Sequence, residues 1–112
     1  MTAQTPEGRV KSKLDSELKR LISRNIPLWY FNPAGTAYGK AGVPDKIVCI
    51  AGHMVGLEVK ADRLKKPTAL QMKCMNDIEA AGGKCFVVYD KRTIDLVVLY
   101  LLQYWMANRV SN

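Results

Sequence analysis

A chain of 112 residues has room for one domain with a single core, burying roughly two thirds of the surface that its unfolded form exposes. Apolar residues at 48% and charged residues at 24% exclude a disordered or low-complexity chain. Seventeen Lys and Arg against ten Asp and Glu leave a net charge of +7, a field that favours polyanions, nucleic acid ahead of membrane.

In chain order, Val10, Leu14, Leu18, Leu21 and Ile22 recur at helical spacing. Thr5-Pro6 ahead of them supplies an N-cap and a proline at the first helical position, so a helix is predicted over about residues 6–24. PLWYFN (27–32) reads as a strand, and the alternation of Trp29, Tyr30 and Phe31 predicts that most of this aromatic bulk is core. PAGTAYGKAGVP (33–44) reads as a loop. Two strands follow, 46–50 and 54–60, joined by Ala51-Gly52-His53 as a hairpin. His53, the only histidine, reads as a turn residue rather than a base. DRLKKP (62–67) is a charged connector; Thr68 begins a second helix with Leu70, Cys74, Ile78 and Ala81 on one stripe, ended by Gly82-Gly83. KCFVVYD (84–90) reads as a strand. Ile94, Val97, Val98, Leu101, Leu102 and Trp105 form the stripe of a C-terminal helix over about 93–108. The order α-β-β-β-α-β-α predicts an α/β fold: a small mixed sheet with helices packed against it.

Cys49, Cys74 and Cys85 are odd in number and show no C-x-x-C spacing, so they are expected as buried thiols in a reducing cytosol. The segment MTAQTPEGRVKSKL lacks the apolar stretch of a signal peptide. The most apolar run, Ile94 to Met106, is too short to span a bilayer and is broken by Asp95 and Gln103. The expectation is a soluble, cytoplasmic protein with no membrane partner.

The chemistry concentrates in GVPDKIVCIAGHMVGLEVKA (42–61), which places two acids and a lysine on an apolar hairpin. Asp45 stands at the entry of the first strand and Glu58 near the exit of the second, so antiparallel pairing can bring them opposite each other to share one hard cation. Glu58 and Lys60, two residues apart, leave the strand on the same face. Mg²⁺ suits such a pair, because it takes few protein carboxylates, keeps several waters and completes its octahedron with phosphate oxygens. With a lysine alongside to stabilise developing negative charge, the chemistry indicated is phosphodiester hydrolysis. A lone Glu-x-Lys on a strand is ordinarily a surface ion pair; Pro44-Asp45, the hairpin, Glu58-Val59-Lys60 and a following helix in this order form a far more specific combination.

The residues PD…EVK resemble the PD-(D/E)xK nuclease superfamily, whose core is an α-β-β-β-α-β unit of restriction-endonuclease type. More narrowly, G-V-P-D at 42–45, E-V-K at 58–60 and P-T-A-L-Q at 67–71 are similar to the VRR-Nuc family in its compact stand-alone form, found in phages and prophages. The resemblance covers about residues 5–90. It implies that Asp45, Glu58 and the backbone carbonyl of Val59 hold Mg²⁺ or Mn²⁺, that Lys60 is the catalytic lysine, and that Gln71 is the extra polar residue of the following helix. Thr68-x-x-Gln71 is equally a capping box, and both roles can coexist. The resemblance also aligns Glu7 with the family's N-terminal acid. Spacing three residues before Val10 would aim it inward, while an acid in a first turn is also favoured by the helix dipole.

Tyr38 and Lys40 in the glycine-rich loop, and Lys65, Lys66 and Lys73 around the second helix, are the candidate DNA contacts. No helix carries an evident set of base-reading side chains, which argues against sequence-specific restriction. The stand-alone members resemble structure-specific endonucleases that resolve four-way junctions in a bacterium or phage-infected cell. Rival readings are a nuclease for other branched or flap DNA, a basic nucleic-acid-binding module on the same fold, and a structural protein of a virus.

The C-terminal segment has its own reading. Residues 93–112 carry one basic side chain, Arg109, and one acid, Asp95, which is a poor surface for phosphates. Leu96, Leu99, Tyr100 and Tyr104 extend the apolar surface of that helix beyond its core stripe, predicting a homodimer built on it.

Overall fold

The computed structural model describes residues 4–34 and 39–109. The elements are α1 (Pro6–Ser23), β1 (Leu28–Phe31), β2 (Lys46–Ile50), β3 (His53–Val59), α2 (Ala69–Ala80), β4 (Lys84–Val88) and α3 (Lys91–Asn108). The four strands form one mixed sheet in the order β1-β2-β3-β4. β1, β2 and β3 are antiparallel neighbours, whereas β4 returns parallel to β3 after the α2 crossover. The predicted order of elements and the mixed sheet are both present. No helix among the described residues is long and apolar enough to cross a membrane.

Local chemistry sets the helix starts. Thr5 caps α1, its hydroxyl accepting from the Gly8 N–H at 3.0 Å, with Pro6 in the first turn. Leu14, Leu18 and Leu21 then face one side of the sheet beside Ile94, Val97 and Leu101 of α3. Val48, Ile50, Val55, Leu57, Val59 and Val88 complete this core from the strands. The opposite side is covered by α2 over β4 and β3, where Cys74 and Met75 are buried. β3 is therefore covered on both faces, and its residues from Val55 to Val59 are all buried. Gly56 is the small residue that permits this: an added Cβ would meet Cys85 Sγ and Pro44 Cγ at 3.0 Å.

Several expectations are corrected. The hairpin turn is the two-residue Ala51-Gly52, with φ of 50° and 78°, and His53 already belongs to β3. Its ring stacks on Tyr104 at 4.1 Å and its Nε2 lies 2.9 Å from the Tyr100 hydroxyl. Phe86 packs edge-on against Tyr100. Tyr100 and Tyr104 thus have partners within the chain, and the outer stripe of α3 reduces to Leu96, Leu99 and Met106. Of the β1 aromatics only Tyr30 turns towards the core cluster; Trp29 is 62% exposed and Phe31 44%, because α2 does not reach β1 and β2. Cys49 shares that open face and is exposed, Cys85 is half-buried, and only Cys74 is a buried thiol. On α2, Leu70 is exposed, and Met75 takes the buried place beside Cys74. α3 begins two residues earlier than predicted, because Asp90 and Thr93 form a reciprocal cap.

Candidate active site

The register Lys46↔Leu57 continues by one step to set Asp45 across from Glu58. Alternation then separates neighbouring charges. Lys46 turns to the α1 side, while Glu58 shares the other face with Gly56, towards α2.

Asp45 is anchored by the backbone: its Oδ2 accepts from the Val59 N–H at 2.7 Å. N–H and C=O of one strand residue leave by the same edge, so the Val59 carbonyl also emerges on the Asp45 side. Glu58 is only 2% exposed. Its Oε1 accepts from Gln71 Nε2 at 3.3 Å and lies 3.9 Å from Lys60 Nζ, while its Oε2 is buried without a partner.

Gln71 ties these groups to α2. Its Oε1 accepts from Lys60 Nζ at 2.9 Å and from the Thr68 N–H at 2.9 Å, and its own N–H is received by Thr68 Oγ1 at 3.2 Å. The capping box and the contact with the acid and lysine are thus made by the same side chain. The loop before β2 is fitted against this helix start: Gly42 has φ +79°, and a Cβ there would lie 2.6 Å from the Leu70 carbonyl oxygen.

Glu7 is brought to the rim through Lys11, a residue not singled out from the sequence. Lys11 Nζ lies 3.3 Å from Glu7 Oε2 and 3.4 Å from Asp45 Oδ1. The available signal was the helical i,i+4 spacing of Glu7 and Lys11, which is too common to have been selected. A second polar cluster adjoins. Lys46, 4% exposed, donates to Asn32 Oδ1 at 2.8 Å and lies over the Tyr30 ring, and Tyr30 donates to Asp15 Oδ1 at 2.6 Å. The Tyr30 hydroxyl, with Lys19 and Lys46, holds the Asp15 carboxyl down at about 2.

Burial and then the adjacent Asp45 push the Glu58 carboxyl up to about 8. Burial also works against ionised Asp45, but the Glu58 carboxyl, the Val59 N–H and Lys11 together hold it below its ordinary value. The pair behaves as two acids sharing one proton. With both ionised, neither can donate, and Glu58 Oε2 is left with nothing; a proton or a cation removes that deficit.

Two carboxylates, an edge carbonyl and open solvent on one side suit a hard divalent ion that keeps waters and accepts phosphate oxygens. Among the described residues no three acidic, histidine or cysteine side chains converge on one point, so the donors that a cation could use there are Asp45, Glu58 and backbone, with Glu7 one lysine away. The donor set fits Mg²⁺ or Mn²⁺. A cleft of about 540 Å³ between α1 and the start of α3 lies elsewhere, and the acid lining it, Asp90, is committed to the α3 cap.

Among the candidate DNA contacts, Lys40, Lys65 and Lys66 are exposed, Lys73 is exposed but paired with Asp77 at 2.9 Å, and Tyr38 lies outside the described residues. No family model matches the chain, and no curated protein matches it.

Proposed function

We propose that this protein is a Mg²⁺- or Mn²⁺-dependent DNA endonuclease of the PD-(D/E)xK type, with a restriction-endonuclease-like core of VRR-Nuc character. The observation that carries the reading is buried Glu58, with an unpartnered oxygen, paired with half-buried Asp45 and beside a lysine oriented by Gln71. A structural ion pair would satisfy its acceptors; here the buried acid, once ionised, is short of a proton or a cation.

The chemistry supplied by a bound Mg²⁺ or Mn²⁺ is activation of water and neutralisation of charge on a phosphoryl oxygen. Asp45 and Glu58 would hold the ion, and the Val59 carbonyl emerges on the same edge. Lys60, kept in place by Gln71 Oε1, directs its ammonium at the charge that develops as the phosphodiester is cleaved. Lys40, Lys65 and Lys66 attract the backbone without reading bases. The substrate best suited is branched DNA, four-way junctions first, cut by a homodimer whose contact is the outer stripe of α3.

The experiment is cleavage of four-way, flap and linear DNA by wild type, Asp45→Asn, Glu58→Gln and Lys60→Ala, in Mg²⁺, Mn²⁺, Ca²⁺ and EDTA. Each variant is expected to fold, to retain DNA binding and to lose at least about a hundredfold in single-turnover rate, the usual cost of one transition-state contact. Ca²⁺ should support binding without cleavage. Wild-type rates in EDTA, or from Lys60→Ala, would overturn the assignment.

A further inference from the structure

Lys11 sits where a divalent ion would be least welcome. Its ammonium lies 3.4 Å from Asp45 Oδ1 and 3.3 Å from Glu7 Oε2, bridging the exposed sides of two acids grouped around the candidate metal site. Asp45 Oδ2 already accepts from the Val59 N–H, so Oδ1 is the less committed oxygen for an ion, and Lys11 sits on it.

The same lysine lines a cleft of about 340 Å³ with Ser12, Asn32, Asp45, Lys46 and Asp15, whose carboxylate is engaged by Tyr30, Lys19 and Lys46. That cleft opens beside Asp45, on the α1 side. Lys46 is fixed at one wall by Asn32 and by Asp15, 3.4 Å from its ammonium, and is 4% exposed, whereas the Lys11 side chain is 42% exposed. A DNA strand entering the site brings a phosphate within reach of such an ammonium.

We propose that Lys11 is an internal counter-ion that occupies Asp45 in the free protein and moves to a substrate phosphate in the adjoining cleft when the metal binds. This rests on the metal-nuclease reading above. The consequence is reciprocal coupling: DNA withdraws a positive charge from the metal site and so tightens metal binding, and metal tightens DNA binding by the same factor. Metal loading then depends on substrate.

The test measures ion binding, not turnover. Mn²⁺ affinity of the free protein is read from the electron paramagnetic resonance of unbound ion, for wild type, Lys11→Met, Glu58→Gln and Lys13→Met. Lys13→Met removes one exposed charge from the same helix. Lys11→Met should bind Mn²⁺ at least about fivefold more tightly than wild type, the lower end of typical coupling, and Lys13→Met should differ by less than about twofold. Calorimetric titration of Ca²⁺ with and without four-way junction DNA should show an enhancement by DNA at least about fivefold larger in wild type than in Lys11→Met, where only direct ligation by phosphate remains. Unchanged or weaker Mn²⁺ binding by folded Lys11→Met, or an undiminished DNA effect, overturns the counter-ion role. If wild type binds Mn²⁺ and Glu58→Gln does not, the metal-site reading survives that result. If neither wild type nor Lys11→Met binds Mn²⁺, the metal site falls and the counter-ion with it.

Discussion

A glutamate 2% exposed with one unpartnered oxygen penalises the fold whenever it is ionised without a cation. Glu58 titrates at about 8 in the folded chain against an ordinary 4.5, so the native state holds the proton more tightly. Its contribution to stability is complete below pH 4.5, declines as pH rises and is gone above about 8. Asp45 is shifted the other way; its contribution is present above its ordinary value of 3.8 and is lost as pH falls through its lowered folded value, outside the Glu58 window. In EDTA the wild type should therefore melt lower at pH 8.5 than at pH 5.5, by at least about 4 °C, the shift that ~1 kcal/mol produces in a domain of this size. Glu58→Gln should remove that difference. Saturating Mn²⁺ should restore the pH 8.5 melting temperature of the wild type, because it binds the ionised native site. Scanning calorimetry decides: equal slopes with pH for wild type and Glu58→Gln would show that Glu58 is not the titrating group.

At the scale of elements, the start of α2 serves the fold and the site with one side chain. Thr68→Ala removes the hydroxyl that receives the Gln71 N–H and should cost about 1 kcal/mol of stability, while leaving Lys60 on Gln71 Oε1. Gln71→Ala should cost a similar amount, about 0.5–1.5 kcal/mol, and in addition release Lys60 and Glu58 Oε1. Comparison of melting temperature with single-turnover rate separates the two roles: only the second variant should lose activity per folded molecule. The Gly42 turn gives a companion test. Both Gly42→Ala and Gly52→Ala place a side chain at positive φ, worth roughly 1–2 kcal/mol, but only at Gly42 would the new Cβ collide with backbone, at Leu70. Gly42→Ala should be the more destabilising in chemical denaturation and should also impair cleavage, since that turn leads into Asp45.

These elements also mark what could be read from the chain alone. Period and caps carried the order of elements, and Asp45, Glu58 and Lys60 were legible because hairpin register and strand alternation are local geometry, whereas spacing showed Gln71 only as a capping residue and its place beside them came from the family resemblance. Lys11 and the Asp15–Tyr30–Asn32–Lys46 cluster were not, because they exist only once α1 docks across the sheet. Trp29 and Phe31 were misread for a related reason. Alternation assigns them to one face, but whether that face is covered depends on where α2 comes to lie.

On the scale of the whole molecule, α1 and α3 close one face of the sheet and α2 closes part of the other, leaving two apolar surfaces exposed. Trp29, Phe31 and Met54 lie on the open sheet face that also carries Glu58, where, on the proposed function, an incoming strand would run and aromatic rings could stack on bases. Leu96, Leu99 and Met106 lie on α3, which carries Lys91 and Arg92 in its first turn but no Lys or Arg between Thr93 and Asn108, a sparse surface for phosphate. On the proposed function, that division would give the sheet face to substrate and α3 to a second copy of the chain. A two-fold contact on α3 is isologous, one patch meeting its copy, and it would present two active sites to the two strands that a junction-resolving enzyme cuts. Leu96→Glu/Leu99→Glu should therefore sediment as a monomer at micromolar concentration where wild type is a dimer, with little change in melting of the monomer, because both side chains are half-exposed. Trp29→Ser/Phe31→Ser should stay dimeric and bind DNA less well. A monomeric wild type would refute the dimer, and monomers from the Trp29 and Phe31 pair alone would transfer the interface to the open sheet.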